Sequence, residues 1–295
     1  MKSQANLLIK FAPVIFVLLW ATGFVGAKFG TIDAEPLFFL FVRFAIAFAL
    51  LGFFVIVWLK PKNVPWGEVW HSFLIGVFLH GIYLGGVFYA VSKGMPAGIS
   101  SLVVSFQPFF TVFIAYFWLG ERISFWRLIF FVSALLGIFL VLFPQFDVAS
   151  AIPGITGETL IVTTLSTIGI SLGAVYQKRH VKRLNLWVGT AAQYVGAASF
   201  VGLVSFFIES QRIVWSAPTV FAMTWLVLVL SIGAIALLMY LIKQGDASSV
   251  ASLFFLVPVV AFIMTWFLFG ETLNAMQVFG SLIVVASVAL ANRTT

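Results

Sequence analysis

Arg43, His80 and Gln193 each fall within an otherwise apolar stretch of this chain. A polar group held in such surroundings usually faces a cavity or another polar group. Arg43 can meet a carboxylate with a two-pronged fork of N–H groups. It can equally snorkel toward water, or tie backbone carbonyls together. Gln193 lies 150 residues further on and suits either role. His80 has Tyr83 three residues on, and therefore on the same helical face. A neutral imidazole donates and accepts at once and titrates near neutrality, so it can contact a solute or carry a proton. The plainer reading is a hydrogen bond between two helices.

Hydroxyls and prolines recur in a pattern. Ser101 and Ser105 form an i, i+4 pair ahead of Pro108, and Ser248 and Ser252 do the same ahead of Pro258. Small hydroxyl faces allow close helix packing. Proline lacks an N–H, so it bends a helix and leaves a carbonyl free to face a cavity. Pro108 and Pro258 therefore read as paired hinges or paired kinks. Among the aromatic residues, Trp20, Tyr83, Tyr89, Trp225 and Tyr240 lie where a solute path is expected. Trp20 is singled out because Thr22, Gly23 and Gly26 mark its helix face as one that packs inward. An indole there can stack on an aromatic solute or face an amine.

Bond-breaking chemistry has no residues to work with. All nine carboxylates map to loops or helix ends, and there is no cysteine. No acid pair, His-rich metal set or Gly-x-Ser-x-Gly element is present. A phosphate-binding Gly-rich loop is absent too, so nothing here points to ATP. With no carboxylate at mid-depth, a lipophilic cation would find no counter-ion, and a simple proton antiporter no proton-binding acid.

The elements that must position these groups are membrane helices. The chain is 62% hydrophobic and 8% charged, against roughly 45–50% and 25% for soluble domains. Its mean hydropathy is +1.15. Ten segments reach spanning length: 8–29, 36–59, 69–91, 97–119, 125–143, 157–177, 185–208, 219–241, 247–269 and 275–292. The first is read as a retained helix rather than a cleaved signal, because it aligns with a second-half helix.

A repeat divides the ten. Tyr89, Gly94, Pro108 and Gly120-Glu121 return about 150 residues later as Tyr240, Gly245, Pro258 and Gly270-Glu271. Five spans per copy is an odd number, so the second copy enters from the opposite side. With the N-terminus cytoplasmic, twelve Lys and Arg fall inside, and only Lys28, Lys93 and Arg212 outside. The net charge of +7 is spread over short loops and is no nucleic-acid footprint.

Trp20-x-x-x-Phe24, Glu35-Pro36, Phe41-Val42-Arg43-Phe44, Tyr89-Ala90, Ser105-x-Gln107-Pro108 and Leu119-Gly120-Glu121-Arg122 resemble the EamA repeat of the drug/metabolite transporter superfamily. Tyr240, Pro258 and Phe269-Gly270-Glu271 carry the likeness into the second half. Within the superfamily the chain is most similar to the YddG-type exporters of aromatic and other amino acids. The resemblance implies helices around a central cavity, a bacterial inner-membrane setting and outward movement of metabolites.

The expectation is an all-α polytopic membrane protein with ten transmembrane helices, as inverted five-helix repeats over 1–147 and 148–295. Both termini are cytoplasmic. It acts as a monomeric secondary transporter of zwitterionic amino acids in the lipid bilayer, without metal, cofactor or nucleic acid. Expected substrate contacts are Trp20, Arg43, His80, Tyr83, Tyr89, Ser101, Gln193, Tyr240 and Ser252, with hinges at Pro108 and Pro258. A carrier of drugs or nucleotide-type metabolites is the nearest alternative, and a channel-like protein the alternative of a different class.

Overall fold

In a bilayer core no water is available to backbone N–H and C=O groups, so apolar spans satisfy them within helices. The computed structural model describes residues 2–120, 124–143, 152–244 and 253–293. Their regular elements are all helices, and the one β-contact among them is an isolated bridge between Ala34 and Ile213. Eight helical stretches are long and apolar enough to cross a membrane, and the shorter apolar helices Val257–Phe269 and Ala275–Ala291 make ten.

In chain order, span one is α1 (Lys2–Gly30), and span two is α2 (Pro36–Phe54) with a π turn at Val55–Leu59. Span three joins α3 (Trp66–Gly76) and α4 (Tyr83–Ser92) through a π segment at Val77–Ile82. Span four is α5 (Ala97–Val104) and α6 (Gln107–Leu119), and span five is α7 (Phe125–Leu142). Spans six and seven are α8 (Gly157–His180) and α9 (Leu186–Ile208). Span eight joins α10 (Ala217–Thr224) and α11 (Ile235–Gln244) through a π segment at Trp225–Ala234. Spans nine and ten are α12 (Val257–Phe269), preceded by a 3₁₀ turn, and α13 (Ala275–Arg293).

The repeat is visible in the irregularities. Gly120 and Gly270 end α6 and α12 at φ of 71° and 66°, the left-handed conformation in which glycine carries no Cβ penalty. The two long π segments fall in spans three and eight, the same place in each half. No apolar periodicity distinguishes a π turn from an α turn, and the sequence reading gives continuous α-helices there. The prolines also differ from the expected mid-helix bend. Pro108 and Pro258 each stand at the second residue of a new helix, where a missing N–H costs nothing, and the break precedes them.

Packing brings the two halves together. Span two lies against span seven, its repeat mate, and span seven also packs on α3. Gly76 and Gly196 let that last pair approach: a Cβ on Gly76 would collide with the Gln193 carbonyl, and one on Gly196 with the Phe73 carbonyl. Spans five and ten form a second unit, with Gly137 against the carbonyl of Gly280. The perimeter is apolar, with Trp58, Phe117, Phe207 and Phe267 all more than 70% exposed. Such a perimeter fits a hydrocarbon solvent. Glu121, Arg122, Gly245, Ser248 and Ser252 lie outside the described residues.

Candidate functional site

Spans one to four and six to nine surround a central cavity with two lobes. The first, about 290 Å³, is lined by Arg43, His80, Gln193, Thr190, Gln177 and Ser231 among others. The second, about 390 Å³, is lined by Ser101, Ser105, Gln107, Thr111 and both Pro108 and Pro258. Trp20, Phe24, Leu79, Tyr83 and Ile170 border both lobes and form the waist between them. Trp20 and Ile170 are repeat mates, 150 residues apart. The volumes are at the lower end of the roughly 300–1,000 Å³ usual for small-molecule sites.

Among the described residues, Arg43 is the charged group of this cavity. It is 5% exposed, and its Nη2 donates to Ser231 Oγ at 3.2 Å. Its Nε is buried with no acceptor, and its guanidinium carbon lies 5.5 Å from the centre of the Phe44 ring. His80 Nε2 lies 3.3 Å from Gln193 Oε1. The His80 ring also tilts against Phe44 and Tyr194 at 6.0 and 5.3 Å. The Tyr194 hydroxyl donates to the Ser231 carbonyl at 2.6 Å, and its ring stacks on Phe44 at 6.0 Å. Among the described residues, no Asp or Glu borders either lobe.

One end of the cavity is closed. Lys28 Nζ lies 2.7 Å from Glu271 Oε1, and the same carboxylate accepts the N–H groups of Ala97 and Gly98 at 3.3 and 3.2 Å. Glu271 thus ties the end of span nine to the start of span four and the end of span one. The helix start favours its negative charge. On the same face Tyr89 donates to Glu158 at 2.6 Å, tying span three to span six. In the other direction the first lobe runs past Gln177 and Leu186, beside the turn between α8 and α9.

A sequence profile of the EamA-like transporter family matches residues 7–143 and again 157–293. The chain belongs to the EamA-like transporter family. It is 28% identical to the "Uncharacterized transporter YvbV" of Bacillus subtilis (strain 168), over 99% of this chain and 92% of that protein. It is 23% identical to a "Probable amino-acid metabolite efflux pump" of Escherichia coli (strain K12), over 92% of this chain and 90% of that one. The protein of the same name from Salmonella typhimurium is 25% identical, with 94% and 92% covered. A crystal structure aligns with a TM-score of 0.64 over 96% of this chain and 97% of its own, at 19% identity, a likeness of fold. The chain is a multi-pass membrane transporter, not an enzyme.

For this EamA-like transporter the structure brings Trp20, Arg43, His80, Tyr83, Ser101, Gln193, Pro108 and Pro258 to one cavity. Tyr89 and Tyr240 do not line it. Tyr89 points its hydroxyl at Glu158, and Tyr240 packs against the apolar core. Trp225 is likewise used elsewhere, its Nε1 donating to Thr22 Oγ1 at 2.9 Å. Ser252 lies outside the described residues. Hydroxyl and amide groups unremarked in the sequence complete the lining, Gln177, Thr190, Ser231 and Thr111, together with Gln107, which the sequence offered only as part of a motif. Ser231 had a usable signal, since it stands 151 residues after His80, the offset that separates Tyr89 from Tyr240.

Proposed function

We propose that this transporter exports small metabolites, amino acids foremost, by alternating access between two inverted five-helix halves. The observation that carries the reading is a central two-lobed cavity that has, among the described residues, one buried cation, Arg43, and no bordering carboxylate. Such a cavity suits a solute that brings its own carboxylate. The hydroxyls and amides of Thr190, Gln193 and Ser231 hydrogen-bond the polar head, while Trp20, Tyr83 and apolar residues receive the side chain. Loose apolar contacts give broad selectivity.

The printed names of the Escherichia coli and Salmonella typhimurium relatives favour amino-acid metabolites as cargo. The bias of Lys and Arg toward one side supports cytoplasmic termini, and the bacterial relatives support an inner-membrane setting. In that orientation the Lys28–Glu271 face is outside and the cavity leads inward. The halves are residues 1–147 and 148–295, and a monomer contains the whole cavity.

Counterflow tests this. Purified protein in liposomes preloaded with unlabelled amino acid is expected to accumulate labelled amino acid transiently, because a carrier shows trans-stimulation. Accumulation without any trans effect marks a channel, and competition only by drugs or nucleotides moves the cargo to those classes.

A further inference from the structure

Among the described residues Arg43 is a buried cation without a buried anion. Among the described residues the one ion pair is Lys28–Glu271, which lies at the closed face and away from Arg43. No described acid side chain borders either lobe. Guanidinium carries five N–H donors; here Nη2 meets one hydroxyl, at 3.2 Å, and Nε meets nothing. The neighbours Phe44, Ser231 and Tyr194 are neutral. An uncompensated charge in a water-poor interior is among the least stable arrangements a fold can hold. Its missing counter-ion therefore belongs to the solute.

Nothing comparable awaits an ammonium group. A cationic amine would need a carboxylate, or several converging carbonyls, to replace its water. The lobe around Arg43 offers neutral hydroxyls and amides, and the second lobe offers Ser101, Ser105 and Thr111 among apolar walls. The Ser101 and Ser105 hydroxyls already donate to the carbonyls of Gly98 and Leu102, both at 2.6 Å. The charge balance of the described lining is thus plus one, and a bound zwitterion leaves it at plus one. A bound monoanion brings it to zero.

We propose that Arg43 makes this a carboxylate-selective site in which the amino group is dispensable, so that aryl and alkyl monocarboxylates are cargo alongside amino acids. The inference rests on the proposed transport function and extends it from amino acids to the wider class of apolar-tailed carboxylates. The carboxylate meets Arg43 and Ser231, and the tail passes the Trp20–Tyr83 waist into the second lobe. Export of such an anion also runs with an inside-negative membrane potential, so it needs no coupling ion.

Three probes of one shape test it on the purified, detergent-solubilised protein by titration calorimetry: L-phenylalanine, 3-phenylpropionate and phenethylamine. The expected result is that 3-phenylpropionate binds at least as tightly as L-phenylalanine, and both roughly tenfold or more tighter than phenethylamine. Binding of L-phenylalanine without 3-phenylpropionate, or of phenethylamine as tightly as either acid, overturns the proposal and leaves amino-acid export standing. Binding of none of the three overturns both. Arg43→Gln is expected to weaken both acids and not to weaken phenethylamine, whose like charge it no longer opposes. Arg43→Lys, which keeps the charge, is expected to restore part of the acid binding. The ranking of the three probes on the wild-type protein decides the matter even where Arg43→Gln fails to fold.

Discussion

His80 and Ser231 hold equivalent places in the two halves, and each reaches across to the second span of the other half. Ser231 accepts from Arg43 at 3.2 Å, and His80 meets Gln193 at 3.3 Å. Arg43 and Gln193 are themselves repeat mates, 150 residues apart. So are Phe44 and Tyr194, whose rings stack between the two bonds with planes 14° apart. Both His80 and Ser231 also sit in π segments, whose wider turns shift the side chains they present. The halves are thus joined at mid-depth by two crossed polar contacts around one aromatic pair. Under the proposed alternating access, this joint is where the two halves would turn on each other.

Replacing His80 by Ala removes one of the two crossed contacts. Interhelical hydrogen bonds in membranes contribute only about 0.6 kcal/mol on average, so the melting temperature in detergent is expected to fall by no more than a few degrees. Counterflow in proteoliposomes is expected to fall much further, roughly tenfold, because the imidazole also borders the first lobe. Wild-type rates in His80→Ala would reduce the contact to packing.

Glu271 holds the closed face through three partners at once, so its amide variant is expected to loosen that face selectively. Glu271→Gln keeps the shape but loses the charge that meets Lys28 and the helix start at Ala97 and Gly98. The chain has no cysteine, so a single Ser105→Cys in the second lobe reports access cleanly. A membrane-impermeant maleimide added at the Glu271 face is expected to label that cysteine faster in Glu271→Gln than in the parent. Equal labelling rates would mean the carboxylate is an ordinary helix cap.

Much of this was legible beforehand, and the misses have physical causes. Apolar length gives the ten spans, because a lipid core forces each to be one satisfied helix. Arg43 and His80 stand out because polar groups in apolar runs are few. Tyr89 and Tyr240 misled because aromatic rings suit core, lipid edge and cavity alike, and only the Tyr89–Glu158 bond shows which applies. Ser231 was hidden by its type, since one hydroxyl in a serine-bearing membrane chain carries no signal until the repeat offset is applied to His80. The π segments leave no trace in hydropathy at all.

Pro108 begins the half of span four that leads away from the closed face, and Pro258 the half of span nine that leads up to it, each after a turn that interrupts the helix. The portions of these spans next to the closed face pack on each other, with Gly98 close against Phe262 and Thr265. Opening that face requires α5 and α12 to part, and the interruptions let each half-span tilt on its own. Alanine at both positions restores the missing N–H and favours a continuous, stiffer helix. The double variant is expected to exchange solute several-fold more slowly while calorimetric binding persists. Undiminished exchange would leave the prolines as fixed features of packing.

Glu35 gives the fold a sensitivity to acid that can be read by its sign. Its carboxylate accepts the N–H groups of Ser210 at 2.9 Å and Arg212 at 2.7 Å. Glu209 returns the arrangement by accepting from Leu37 at 2.9 Å and Phe38 at 2.8 Å. Burial alone would raise the Glu35 pKa, but the two N–H bonds and the Arg212 charge outweigh it, and the value falls below the ordinary 4.5. A carboxyl with a lowered folded-state pKa stabilises the fold fully above its unfolded value, and loses that contribution as pH falls through the lower one. The melting temperature of the wild-type protein is therefore expected to drop on acidification below about pH 4.5. Glu35→Gln, neutral in both states, is expected to melt lower at neutral pH and to show a shallower acid limb. A parallel acid limb in the variant would assign the sensitivity to other carboxylates, with Glu209 the next to change.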